Sequence, residues 1–262
     1  MAARADFNFG KMALATVMSL AAAAIIAYGG VIAWLYTHQT AMEYENVAAV
    51  EVPAIRSLAI QDVRIRTPDG ETLQAWYEPP RPGMPVFLFL HGQGATQADG
   101  KWRFLRMHQE GVGYLALAYR GFSGSTGKPS EKGLFIDGLA AYDWLKAQGF
   151  GDSDIVIHGH SLGTGVATYV ATQRPARALI LEAPFTGAVD VAKERYPYMP
   201  VDLLMRDKFL NRARIRGRAH ARADRARHPA TPSCPTPKAK HFTTWPTNPR
   251  PSCACKAPTT AP

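Results

Sequence analysis

Cysteine is nearly absent from this chain of 262 residues. Its only cysteines are Cys234, Cys253 and Cys255, so the first 210 residues contain none. A disulfide framework is therefore excluded for that part of the chain. Cys253 and Cys255 are separated by one residue, whereas zinc knuckles and redox pairs typically have two residues between their cysteines. The sequence therefore predicts no metal site.

A charge excess is also missing from most of the chain, although the formal net charge is +9. Residues 211–262 contain eleven Lys and Arg and one acidic residue, Asp224, which leaves 19 basic and 20 acidic residues for positions 1–210. The body is therefore neutral, and no specific nucleic-acid site is expected in it. A basic tail of this kind is typical of nonspecific binding to anionic lipid or nucleic acid.

Large aliphatic residues are scarce in the same C-terminal part. Ile215 is the only Val, Ile, Leu or Met between residues 211 and 262, and nine prolines occur there. Buried strands need apolar runs and exclude proline from their centre. Residues 210–262 are therefore predicted to be a disordered tail rich in Pro, Ala and Arg. Residue types with GC-rich codons dominate it, so an out-of-frame reading is one hypothesis and a natural low-complexity tail is the other.

Charge is wholly missing from residues 12–36. As a helix this segment would be roughly 37 Å long at about 1.5 Å per residue, enough to cross a hydrocarbon core of roughly 30 Å. We therefore predict a transmembrane anchor, with a cleaved signal peptide and a buried soluble helix as alternatives. Arg4 and Lys11 precede the segment, and no Lys or Arg follows before Arg56. The positive-inside rule thus places residues 1–11 in the cytoplasm and the body outside it.

After a predicted linker at residues 37–56, the patterns of strand and helix alternate. Residues 60–66 and 73–77 flank the turn signal Pro68-Asp69-Gly70 and are predicted to form a hairpin. The apolar run 86–90 is typical of a buried parallel strand. Further strands are predicted at 113–118, 154–158 and 178–181, and helices at 97–109, 134–148 and 162–172. This alternation predicts a doubly wound parallel sheet with helices on both faces.

The most informative motif is Gly159-His160-Ser161-Leu162-Gly163, which fits the pattern G-x-S-x-G. It lies between a predicted strand and a predicted helix, as a nucleophile elbow requires. Glycines on both sides avoid clashes in the tight turn that lifts a serine hydroxyl out of the sheet. Ser161 is therefore the candidate nucleophile. The alternative is a glycine-rich turn with an incidental serine.

A second motif, His91-Gly92-Gln93-Gly94, directly follows the predicted strand at 86–90. In acyl-transfer enzymes of this architecture, such a loop donates one backbone N–H to the oxyanion, and the residue after the serine donates the other. Gln93 and Leu162 are therefore predicted to form an oxyanion hole through their backbone. The nearby histidines are expected to brace the structure: His91, His158 and His160.

With these two motifs and the run Tyr119-Arg120-Gly121, the chain resembles the α/β-hydrolase family over about residues 60–209. It is most similar to the membrane-anchored branch that includes serine-aminopeptidase-like proteins and protein depalmitoylases. The resemblance implies hydrolysis of an ester, thioester or amide through Ser161, without a cofactor. The substrate would be a small molecule or an acylated protein. Tyr119 and Arg120 would hold the loop beside the pocket.

The family pattern also has an acid and a histidine after two later strands, and no such strands can be written in the tail. Asp224 and His241 are candidates by residue type only, while Asp190 and Glu194 are conceivable acids without a suitable histidine. We therefore predict an incomplete hydrolase domain at 57–209 and an impaired serine hydrolase. Residues 185–209 are expected either to line an acyl pocket or to pack on the sheet.

The alternative function is that of a non-enzymatic membrane protein whose basic tail binds anionic lipid or nucleic acid. Salt-sensitive binding of the tail would favour this alternative, whereas a reactive Ser161 would favour the hydrolase. The sequence specifies no oligomeric state.

Overall fold

The computed structural model describes residues 9–44 and 60–217. The predicted acid and base, Asp224 and His241, lie outside these residues. So do the three cysteines and most of the segment that was predicted to be a tail.

A single mixed sheet forms the centre of the molecule. Its strands are β1 (Gln61–Arg66), β2 (Thr72–Glu78), β3 (Val86–Leu90), β4 (Gly113–Leu117), β5 (Ile155–His160) and β6 (Ala178–Glu182). They are arranged in the order β1-β2-β4-β3-β5-β6. The predicted hairpin is confirmed, because β1 and β2 are antiparallel, and β2 also runs antiparallel to β4. From β4 to β6 all neighbours are parallel, as predicted.

Helices cover both faces of this sheet, which explains why its central strands are continuous apolar runs. They are α2 (Lys101–Glu110), α3 (Glu131–Ala147) and α4 (Leu162–Gln173). Helices α3 and α4 pack together closely at Gly138, where a side chain would collide with Val166 and Val170. On the other face, Phe104 of α2 packs against Tyr114 of β4 with ring centroids 4.3 Å apart.

The N-terminal helix α1 (Phe9–Glu43) is 35 residues long. Within the described residues it is the one helix that is long and apolar enough to cross a membrane, judged by length and composition. It continues to Glu43, so the part of the predicted linker from 37 to 43 is helical. The next residue, Tyr44, is buried in the hydrophobic core and donates a hydrogen bond to Asp207 at 2.9 Å.

Residues 185–209, here called the cap segment, follow β6 and contain the short helices α5 (Ala188–Arg195) and α6 (Val201–Leu204). The segment ends at Phe209, which is fully buried against Phe135 of α3. Helix α5 has eight residues and α6 only four, so neither is long enough to show a helical repeat of apolar residues. This is why the strand and helix periodicities of the sequence do not reveal them.

The predicted tail begins too early, because residues 211–217 are helical. Asn211 is buried and donates to the carbonyl of Phe185 at 3.2 Å. Arg214 forms an ion pair with Glu131, and its guanidinium carbon lies 4.6 Å from the centre of the Phe135 ring. The prediction relied on the lack of aliphatic residues, whereas this segment is held by polar and cation–π contacts.

Candidate active site

Ser161 stands at the sharp turn between β5 and α4. Its φ of 48° and ψ of −117° are rare for a residue with a side chain. Such strain persists only where the surroundings enforce it, and it concentrates at functional sites. Here the Ser161 N–H donates to the Glu182 carbonyl at 2.9 Å, and the Ser161 carbonyl accepts from the Thr164 N–H at 2.8 Å.

Steric contacts explain the two glycines of the G-x-S-x-G motif. A Cβ at Gly163 would collide with the carbonyls of Leu90 and His91, because α4 begins against the end of β3. A Cβ at Gly159 would collide with the Gly163 carbonyl and, at 2.7 Å, with the Ala167 methyl. Side chains at either position would therefore push α4 away from the sheet and reopen the turn.

The loop after β3 lies directly against the serine. A Cβ built on Gly92 would be 3.1 Å from the Ser161 Cβ, so a side chain at this position would require the loop and the serine to shift apart by a few tenths of an ångström. Within the described residues, the N–H groups of Gln93 and Leu162 donate to no other protein atom. The Leu162 N–H belongs to the first turn of α4, where the helix dipole favours negative charge. The two residues predicted to donate to an oxyanion therefore line the same cavity as the serine.

His91 is held away from the serine by its own contacts. Its Nδ1 lies 2.9 Å from the Gly92 carbonyl, and its ring centre lies 4.5 Å from that of Tyr119. The Tyr119 hydroxyl donates to the His91 carbonyl at 3.2 Å. Burial lowers the pKa of His91 to about 4, so the imidazole is neutral near pH 7. These contacts correspond to the bracing role that the sequence predicts.

A second histidine, His158 of β5, faces Glu182. Its Nε2 lies 3.3 Å from Glu182 Oε2, and Arg103 Nη2 lies 2.8 Å from the same oxygen. Burial and the nearby Arg103 charge lower the pKa of His158 to about 4. Glu182 thus joins β6 to α2 through its side chain and fixes the Ser161 turn through its carbonyl. The sequence alone does not single out Glu182, whose only signal is an acid directly after a predicted parallel strand.

In the part of the chain that the structure describes, no histidine lies within hydrogen-bonding distance of the Ser161 hydroxyl. The two acids considered after β6, Asp190 and Glu194, also have no histidine as a hydrogen-bonding partner within the described residues. Asp190 accepts a hydrogen bond from the Thr186 hydroxyl at 2.6 Å, and Glu194 is exposed.

In residues 9–44 and 60–217 no group of three His, Cys, Asp or Glu side chains is placed to hold a metal ion.

An apolar cavity of about 520 Å³ opens beside Ser161. Gln93, Ser161 and Leu162 are among the residues that line it. The cap segment forms one wall, and the C-terminal part of α1 forms another, which the sequence does not predict. The principal apolar residues of these walls are Leu35, Tyr36, Met42, Phe185, Val191, Met199, Val201, Leu204 and Met205. The cap segment therefore lines a pocket, one of the two arrangements expected for it.

Arg120 ties the loop after β4 to two neighbouring elements. Its guanidinium donates to Asp137 of α3 at 2.9 Å and to Asp69 of the β1–β2 turn at 2.7 Å. The Arg120 N–H also donates to Asp137 at 2.8 Å. Hydrogen bonds from Arg120 and Thr67 hold the pKa of Asp69 at about 2. The geometry agrees with the structural role expected for Arg120.

Comparisons with known proteins agree with this architecture. Residues 87–260 match the model of the Alpha/beta hydrolase family. An uncharacterized protein of Mycobacterium tuberculosis is 35% identical over 211 residues, covering 78% of this chain and 75% of that protein. The lysophosphatidylserine lipase ABHD12 of Rattus norvegicus is 39% identical over 140 residues, which cover 48% of this chain and 35% of the lipase.

Among solved structures, an alpha-beta hydrolase from Vibrio vulnificus superposes with a TM-score of 0.52 at 25% identity. The match covers 63% of this chain and 61% of that one. The chain thus spans only about a third of the length of the lipase and less than two thirds of the solved hydrolase.

Proposed function

Because the chain belongs to the α/β-hydrolase family, we propose that it hydrolyses a lipid ester with Ser161 as the nucleophile. The observation that carries this proposal is the strained backbone at Ser161, which sets the residue beside an apolar cavity. A strained backbone of this kind persists where function requires it. In α/β-hydrolases the strained turn exposes the nucleophilic hydroxyl to the substrate.

In the proposed reaction, the Ser161 hydroxyl attacks the acyl carbon and forms a tetrahedral intermediate. The N–H groups of Gln93 and Leu162 stabilise the oxyanion, a contribution that is typically worth about 10²–10³ in rate for one donor. Collapse of the intermediate breaks the bond from the acyl carbon to the leaving oxygen, which takes up the proton of the serine hydroxyl and departs as the alcohol, leaving an acyl-enzyme. Attack by water then releases the acid, so the reaction needs no cofactor.

A lipid ester with one acyl chain is the proposed substrate. The cavity is lined chiefly by aliphatic and aromatic side chains, which suit a hydrocarbon chain better than a polar one. The similarity to a lysophosphatidylserine lipase supports the same substrate class. A thioester on an acylated protein is the second candidate, and it would use the same cavity for its acyl chain.

We also propose that Ser161 is weakly activated. The described residues supply no histidine to its hydroxyl, and the candidates Asp224 and His241 belong to the tail. Without a base, an oxyanion hole and binding alone can retain roughly 10³–10⁴-fold catalysis over water. The protein is then an impaired serine hydrolase whose rate depends on what residues 218–262 contribute.

Residues 12–36 are the proposed membrane anchor, with residues 1–11 in the cytoplasm and the hydrolase domain on the other side. Continuity of α1 supports an anchor over a cleaved signal peptide. The same unbroken helix carries the uncharged run and ends at Met42 and Glu43, which line the cavity. Cleavage after the uncharged run would remove or detach that wall.

A fluorophosphonate probe tests the proposed nucleophile, because it reacts quickly only with an activated serine. The full chain in membranes should be labelled slowly, and Ser161→Ala should abolish the labelling. Ser153→Ala changes an exposed serine at the opposite end of β5 and should be labelled like the parent. Labelling that persists in Ser161→Ala would contradict the proposal.

Two further variants address the tail. If His241→Ala or Asp224→Ala slows the labelling of Ser161, the tail supplies the base or acid and the serine is fully activated. A folded parent that is never labelled, together with salt-sensitive binding of the protein to anionic vesicles, would favour the non-enzymatic alternative.

A further inference from the structure

Helix α1 and the cap segment are joined at two separate levels along the helix. At the lower level, which is nearer the C-terminus of α1, the Arg206 guanidinium lies 4.4 Å from the centre of the Tyr36 ring. The backbone N–H of Arg206 donates to Gln39 Oε1 at 2.9 Å. At the upper level, the Tyr28 hydroxyl donates to the Tyr198 carbonyl at 2.7 Å. The cap segment therefore runs beside α1 and back toward its N-terminal half.

These two contacts fix the position of the cap segment relative to a membrane. Tyr28 lies inside the uncharged run 12–36 and precedes Tyr36 by eight residues. At about 1.5 Å per residue, the upper contact is about 12 Å further along the helix than the lower one. Any bilayer that surrounds the uncharged run of α1 must therefore also reach the chain around Tyr198.

The cap segment exposes one large apolar side chain near each of the two levels, because Leu204, the neighbour of Leu203, accepts a hydrogen bond from Gln39 at the lower level. Tyr198 is 87% exposed and Leu203 is 86% exposed, which are the two highest values among the large apolar residues of the described chain. A single exposed apolar residue needs no explanation, but two on one segment beside a membrane helix indicate a contact surface. Tyrosine is also a residue that prefers the boundary between hydrocarbon and water.

The charges of the segment are compatible with a position at this boundary. Asp202 is the one acid between residues 196 and 204. Its carboxylate pairs with Lys193 at 2.8 Å, and its carbonyl accepts from the Lys208 ammonium at 2.7 Å. A compensated charge at the headgroup level limits the depth of insertion, as in helices that lie in the interface.

We propose that residues 196–204 form a membrane-embedded face, with the Tyr198 and Leu203 side chains in contact with the lipid that surrounds α1. The occupant of this surface is the bilayer itself. The cavity has walls from both elements, Leu35 and Tyr36 of α1 and Met199, Val201 and Leu204 of the cap segment. The path of the substrate follows from this face and rests on the proposed function. A lipid with one acyl chain passes from the bilayer to Ser161 between the α1 wall and the cap-segment wall of the cavity.

Spin labels at single cysteines test the embedded face, since the described residues contain no cysteine of their own. The full chain, with Cys234, Cys253 and Cys255 changed to serine, is reconstituted in phosphatidylcholine vesicles. Labels are placed on Tyr198→Cys and on Leu203→Cys. Relaxation by oxygen, which concentrates in the bilayer, is then compared with relaxation by a water-soluble nickel chelate.

Two controls bracket the result. Ile26→Cys lies in the uncharged run and reports the bilayer. Ser153→Cys is exposed and precedes β5, a strand that spans roughly 20 Å at about 3.3 Å per residue before it reaches Ser161. We expect the oxygen-to-nickel ratio at both Tyr198→Cys and Leu203→Cys to be severalfold above that of Ser153→Cys, with the Leu203→Cys value between those of Ser153→Cys and Ile26→Cys.

Ratios at both cap positions equal to that of Ser153→Cys, with the Ile26→Cys label in the bilayer, would overturn the proposal. Each variant is checked for an unfolding temperature equal to that of the cysteine-free parent. If one cap variant fails this check, the other decides the outcome. The measurement needs no catalysis, so failure of the proposed function leaves its result unchanged.

Discussion

The Gln93 side chain donates a hydrogen bond to the Met42 carbonyl at 2.6 Å. This bond joins the loop that borders Ser161 to the last turn of α1, 51 residues earlier in the chain. The residue whose backbone is predicted to donate to the oxyanion therefore has its side chain held by α1.

We expect Gln93→Leu to slow fluorophosphonate labelling of Ser161 while leaving the backbone N–H of residue 93 in place. The loss of one neutral hydrogen bond is worth about 1 kcal/mol, which corresponds to roughly a fivefold change. Gln39→Leu is the matched control, because it removes a bond between α1 and the cap segment without touching the loop. Equal labelling rates in Gln93→Leu and the parent would show that the bond does not position the loop.

Gly163→Ala is expected to destabilise the fold, because the added methyl would collide with the carbonyls of Leu90 and His91. Overpacking of this kind typically costs about 1–3 kcal/mol, and backbone contacts leave little room for relief. Chemical denaturation in detergent measures the loss. Gly217→Ala is the control, since nothing lies within 4 Å of its Cβ position. A stable Gly163→Ala variant would contradict the close packing of α4 on the end of β3.

Acid should destabilise the protein through His91. Its pKa is about 4 in the folded chain and 6.5 for the free side chain, so the unfolded state binds more protons between these values. Stability therefore falls as pH falls from 6.5 to 4, by up to roughly 3 kcal/mol for this residue. Unfolding followed between pH 7 and pH 4.5 measures the slope. His91→Phe keeps a ring but removes the titration, so its slope should be smaller, and an unchanged slope would exclude His91 as the cause.

Arg120→Met is expected to cost about 3–5 kcal/mol of stability, because it leaves the Asp137 carboxylate buried without its partner. Arg106→Met breaks an ion pair with Glu110 whose two side chains are both largely exposed, and it should change stability by less than about 1 kcal/mol. Thermal unfolding of the two variants gives the comparison. Similar losses in both would mean that Asp137 is not held as a buried charge.

The sheet could be predicted because its signals are local. The apolar run of β3 and the turn at Pro68-Asp69-Gly70 each depend on a few neighbouring residues. The turn around Ser161 was predictable for the same reason, since its two glycines stand within two residues of the serine. Steric rules for a strand followed directly by a helix then determine which residue types can occupy these positions.

The walls of the cavity could not be predicted, because they depend on contacts between distant segments. Residues 37–43 look like a polar linker, yet Gln39 is helical and bonds to Leu204 and Arg206 across more than 160 residues. Arg214 appears in the sequence as one more basic residue of a tail, but it packs on Phe135. Such pairs leave no periodicity, since each residue is ordinary in its own neighbourhood.

Helix α1 is an unbroken rod from Phe9 to Glu43, roughly 52 Å long at about 1.5 Å per residue. In a membrane, helices respond to a change in bilayer thickness by tilting. A tilt of about 10° around its midpoint would move each end of such a rod by about 4–5 Å. One end of this rod is a wall of the cavity beside Ser161. If residues 12–36 span a bilayer, as proposed, a change in bilayer thickness would move this wall and so change the width of the cavity.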